Sequence, residues 1–228
     1  MPCILVRDMK LLWLAAATLS FVKAQPGADV MANMQAISQA LGVSCEYCHA
    51  APRGSGLPEP KKDIARAMMA MTRQINASVQ AATSKAGSEV TTVQCITCHR
   101  GTPVPRQLSE ILTSTIREKG VAAAVTQYRD LRKQYYGRQT YDFGEGTLLE
   151  IAQILTASKP DEAIALLGLN VEFNPQSAKS YAAMAYAYTR KFDDATAMKY
   201  LEKALEIEPG NGIIRGQLEQ LKSYRRKQ

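Results

Sequence analysis

Cys45-Glu46-Tyr47-Cys48-His49 and Cys95-Ile96-Thr97-Cys98-His99 repeat one five-residue pattern 50 positions apart. Two thiols three residues apart can each form a thioether to one haem vinyl group, and the adjacent His can then reach the iron from one face. The pattern uses four of the chain's five cysteines and both of its histidines. Its chemistry is covalent attachment of two c-type haems, through Cys45 and Cys48 with His49 as proximal ligand, and through Cys95 and Cys98 with His99.

Two other chemistries use the same cysteines. A pair of Cys-x-x-Cys knuckles can form a four-thiolate zinc site, but such knuckles usually lie roughly 15–20 residues apart. Here 46 residues separate Cys48 from Cys95. Two disulfides suit an exported protein. Neither alternative gives a reason for a His after each knuckle in a chain with no other His.

The elements around the motifs must supply the opposite face of each iron. Val30, Met34, Ile37 and Leu41 recur at helical spacing and Gly42 stops the helix, three residues before the first motif begins at Cys45. A helix ending there can fold back over the site, so Met34 is the candidate distal ligand, with Met31 one turn earlier as the fallback. A Met on an apolar stripe is also a common core filler. Residues 53–62 read as a Gly/Pro-rich loop, followed by a helix from Asp63 to about Ala81 striped with Ile64, Met68, Met71 and Ile75. Met71 is the candidate for the second site and Met68 its fallback; Met69 points about 100° away and is the poorest of the three. A loop around Lys85-Ala86-Gly87-Ser88 then leads into the second motif. No third His exists, so each sixth position falls to Met, to a weaker donor such as Lys or Asn, to a partner's group, or to nothing.

Met34 to His49, and Ala67 to Asn76 followed by Cys95 to Pro103, resemble consecutive haem segments of the photosynthetic reaction-centre cytochrome subunit. In that family a helix before each attachment site carries the axial Met, which the resemblance maps onto Met34. It implies a helical electron-transfer domain with covalent haem c. The family subunit holds four haems, whereas this sequence has two motifs, and the resemblance does not imply photosynthesis.

Residues 1–24 read as an export signal: Arg7 and Lys10, an apolar run from Leu11 to Val22, and a cleavage-like Val22-Lys23-Ala24. The run is too short to favour a membrane span. An uncleaved anchor helix is the alternative, and no lipobox cysteine suggests a lipid anchor. Export to a periplasm agrees with haem attachment outside the cytoplasm. Formal net charge is +7, falling to +5 without this segment. No aromatic-basic platform or reading motif points to nucleic acid.

Pro103 and Pro105 mark a boundary, beyond which the apolar spacing is helical throughout. Pro175 and Pro209 lie 34 apart, as do Ala163 and Ala197, and Leu167 and Leu201. Tyr181, Ala185, Tyr188, Ala197, Leu201, Ala204 and Pro209 stand where a tetratricopeptide repeat has them. The preceding unit, about 144–177, has Asn170 where a small residue is usual, and 107–136 read as a third, diverged helical pair. Leu218–Arg226 would cap the stack. The expected architecture is all-α: a signal at 1–24, a small dihaem cytochrome domain at 25–106, and a short tetratricopeptide-like solenoid at 107–228. The solenoid is either a groove for a protein or peptide or a brace on the haem domain.

The functional expectation is an exported electron carrier, not an enzyme, that exchanges electrons with redox partner proteins. Alternatives are a haem enzyme or gas sensor with one open-coordinate iron, and a haem-stabilised scaffold.

Overall fold

A computed structural model describes residues 26–52, 54–83 and 92–226. The expected export segment and the loop at 85–88 lie outside the described residues. Every regular element described is helical, as the apolar spacing predicts, and none of these helices is long and apolar enough to cross a membrane.

Helix α1, Pro26–Leu41, ends in a Schellman motif. The Gly42 N–H donates to Gln39 O and the Val43 N–H to Ser38 O, satisfying carbonyls that the helix end would orphan. Gly42 has φ +65°, which a residue without Cβ adopts freely. A Cβ there would also come within 2.3 Å of the Gly101 carbonyl oxygen. That contact is where the chain returns: the Gly101 N–H donates to Ala40 O at 2.8 Å. Ala40 is buried beneath it.

A single 3₁₀ turn, Cys45–Tyr47, follows at once. Helix α2 spans Pro60–Thr83 and buries no residue completely. Pro60 opens it, where a missing N–H costs nothing. Its start lies three residues before the expected Asp63, because residues 60–62 join the first turn. Helix α3, Cys95–His99, is one short helix holding the second motif, closed by Arg100 in the left-handed region.

Among the described residues six further helices stack as three consecutive pairs, and a seventh closes the stack. Helices α4, Leu108–Lys119, and α5, Val121–Tyr135, are joined by Gly120 alone. The second pair is α6, Glu145–Thr156, with α7, Pro160–Phe173, and the third is α8, Ala178–Arg190, with α9, Asp194–Ile207. Leu112, Tyr128, Leu148, Leu166 and Leu167 are wholly buried in the first core cluster. Each such leucine contributes roughly 1.5–3 kcal/mol relative to exposure. Ala185, Ala197 and Ala204 are buried where α8 and α9 cross, and their small side chains let the two backbones approach.

The final helix, α10, is Gly212–Arg225, starting six residues before the expected Leu218. The Asn211 side chain caps it by accepting from the Ile214 N–H at 3.2 Å, and Ile214 packs into the second cluster. Asn170, the misfit in the repeat pattern, is fully buried. Its amide donates to Glu145 O at 2.9 Å and Ser180 Oγ at 2.8 Å, and its Oδ1 accepts from Asn174 at 3.0 Å. It occupies a small residue's place because it ties α6, α7 and α8 together through polar groups that satisfy one another.

Candidate functional site

The turn at the first motif is closed by the His49 N–H donating to Cys45 O at 3.0 Å and the Cys48 N–H to the same carbonyl at 3.3 Å. In such a tight turn, side chains at i and i+3 eclipse, so both thiols project from one side. Cys45, Cys48 and His49 line a cavity of about 900 Å³ whose walls are mostly apolar. Met31 and Met34 face it from α1, so the structure brings the expected ligand and its fallback to the same cavity as His49. Met69 lines it too. Lys62, Ala65, Arg66 and Met69, at i, i+3, i+4 and i+7, form the face of α2 turned to this site. The other α2 stripe faces elsewhere, with Ile64, Met68 and Met71 exposed.

At the second motif, α3 puts Cys95 and Cys98 one turn apart on one helix face. The His99 Nδ1 lies 3.0 Å from Thr102 O. A carbonyl can only accept, so Nδ1 carries the proton and the Nε2 lone pair is free for a metal, the arrangement that fixes most metal-binding imidazoles. Cys98 and His99 line a more polar cavity of about 760 Å³, walled by the start of α4 and by residues 140–142. A third cavity of about 620 Å³ lies behind Ile96 and Arg100, against Gln39, Gly42 and Tyr135. Among the described residues no methionine lines either of these two cavities, and Met68 and Met71 are not brought into them.

Three residues to which the sequence reading gives no positioning role hold this site in place. The Asn76 side chain binds both backbone groups of Val93, fixing α2 beside the approach to Cys95. Thr140 Oγ1 donates to Arg100 O at 2.5 Å, which ties the α5–α6 connection to the end of α3. Gly101 docks on α1, so the first site's covering helix is also the second site's neighbour. None leaves a spacing signal, because each acts between segments distant in sequence.

Among the described residues the four cysteines form no disulfide, and no three His, Cys, Asp or Glu side chains converge as a metal cluster. That geometry disfavours a shared four-thiolate site. The residues present fit a porphyrin instead: paired thiols beside an imidazole, thioethers across an apolar cavity, and one buried carboxylate oxygen, Glu59 Oε1, left without a partner in the cavity wall.

Residues 58–154 match the family described as photosynthetic reaction centre cytochrome C subunit. The match takes in the second motif and helices α2 to α5, and begins after the first motif. Cytochrome c-554 of Chloroflexus aurantiacus is 36% identical over 69 residues, which is 30% of this chain and 16% of that protein. The chain is thus similar to a reaction-centre cytochrome subunit over its middle stretch, and to cytochrome c-554 over a small part of that protein's length.

Proposed function

We propose that this chain is an exported c-type cytochrome carrying two covalent haems for electron transfer, with a helical arm that docks a partner. The observation that carries the reading is that each Cys-x-x-Cys-His segment folds as a short helical turn, with Cys45, Cys48 and His49 lining one cavity and Cys98 and His99 another. A bound haem supplies a one-electron Fe(III)/Fe(II) couple.

Cys45 and Cys48 tether one haem and Cys95 and Cys98 the other. His49 and His99 give the proximal nitrogens. Met34 gives the distal thioether at the first site, a neutral ligand that favours the reduced iron and raises the potential. At the second, Met71 is the distal candidate and Met68 its fallback. What supports a ligand from this helix is that the Asn76 clamp holds α2 beside the approach to Cys95. Apolar walls keep water from the first iron, and Lys62 and Arg66 are cations on the same wall.

Residues 25–106 act as the cytochrome domain and 107–228 as a tetratricopeptide-like arm. The stacked pairs of α4 to α9 and the closing α10 support that division of labour. Redox proteins, or a peptide segment of one, are the partners we assign to it. Spectra of the purified protein test the carrier reading: both haems should give a methionine–iron charge-transfer band.

A second reading, a haem enzyme or gas sensor with one open-coordinate iron, is favoured by the absence of methionine from both cavities at the second motif. It predicts rapid carbon monoxide binding at one haem only. No binding at either haem eliminates it.

A further inference from the structure

The two proximal histidines differ in what surrounds them. His99 has a neutral acceptor, Thr102 O. His49 shares its cavity wall with Glu59, the residue that ends the loop before α2. Glu59 is largely covered, its side chain 21% exposed. One carboxylate oxygen, Oε2, is paired with Lys62, while Oε1 is buried and unpartnered. A buried oxygen without a donor is costly, and such groups occur mainly where a functional partner is to be met. The Lys62 hydrogen bond, opposed by burial, holds the Glu59 carboxyl below the usual carboxylate range, with the Ala51 amide and His49 adding to the effect. An acceptor without a donor thus stands in the cavity wall that His49 also lines.

We infer that Glu59 is the positioning residue of the first haem: its Oε1 accepts the Nδ1–H of His49 when Nε2 binds iron. The inference rests on the haem reading of the first motif. A carboxylate acceptor fixes the ring's tautomer and rotation and makes the imidazole a stronger donor. A stronger donor stabilises the oxidised iron, so Glu59 lowers the first potential while the second, with its carbonyl acceptor, is untouched. Lys62 keeps the carboxylate in place. Glu59 thus acts as a selector that sets the two haems apart.

The test uses the full chain matured with haem, as wild type, Glu59→Gln and Glu59→Ala. Both midpoints are titrated, and the Nδ1–H proton of each ligated histidine is followed by NMR in the reduced protein. Glu59→Gln should favour reduction of one haem about tenfold, which is about 59 mV for one electron, and leave the other unchanged. The His49 Nδ1–H signal should move in the same variant and vanish by solvent exchange in Glu59→Ala, with the His99 signal unaffected. Two haems with unchanged midpoints and signals overturn the inference alone. A midpoint shift without movement of the His49 signal also overturns it, leaving only charge acting through space. A wild-type chain with no haem on Cys45 and Cys48 overturns both this inference and the haem reading.

Discussion

Asn76 grips Val93 from both directions: its side-chain nitrogen donates to the Val93 carbonyl at 2.9 Å, and the Val93 N–H donates to its Oδ1 at 2.7 Å. These two bonds imitate a backbone ladder between a helix and an extended strand of chain two residues before Cys95. They give α2, which buries nothing completely, a fixed position beside the second motif.

Asn76→Ala removes both bonds and leaves two partly buried backbone groups unpaired, a loss of about 2 kcal/mol at about 1 kcal/mol each. Asn76→Asp keeps the acceptor, loses the donor and costs about half as much. Urea unfolding of the three proteins measures the difference. Equal midpoints for Asn76→Ala and wild type would show the clamp to be ornamental.

Gly42→Ala should destabilise by more than an ordinary surface change. The positive φ alone costs about 1–2 kcal/mol for a residue with Cβ, and the new atom would meet the Gly101 carbonyl oxygen. We expect at least about 2 kcal/mol in denaturant unfolding, together with faster hydrogen exchange at the Gly101 N–H, whose bond to Ala40 O is pushed apart. Exchange at that amide as slow as in wild type would contradict the close approach.

Met34→Ala should lower the midpoint of one haem by on the order of 0.1 V, within the roughly 0.8 V that axial ligands span. Met31→Ala and Met69→Ala, on the same cavity wall, should move it far less. Potentiometric titration separates the three. An unchanged midpoint in Met34→Ala, or a larger change in either of the others, reassigns the ligand.

Much of this was legible from spacing because the signals are local. Gly42 ends α1 as its φ requires, the Ile64 to Ile75 stripe predicts α2, and the 34-residue separations predict the pairing of α6 with α7 and α8 with α9. What spacing cannot carry is which face of an exposed helix meets which site. The angle from the Met68–Met71 stripe makes Met69 the poorest candidate for the second site, and it is the first cavity to which α2 turns its Lys62–Met69 face. A helix with apolar residues on two faces gives one periodicity for each, and only tertiary contacts choose between them. Glu59 and Asn76 read as ordinary loop and helix-surface residues for the same reason: the His49 that shares Glu59's cavity wall and the Val93 that Asn76 binds lie 10 and 17 positions away.

Intact mass of the full chain purified from a host competent in haem attachment tests the central claim most directly. The account predicts a mass raised by two haem increments, one retained when Cys45 and Cys48 are replaced and the other when Cys95 and Cys98 are replaced. A colourless protein at the polypeptide mass, or one carrying zinc on those thiols, would contradict it.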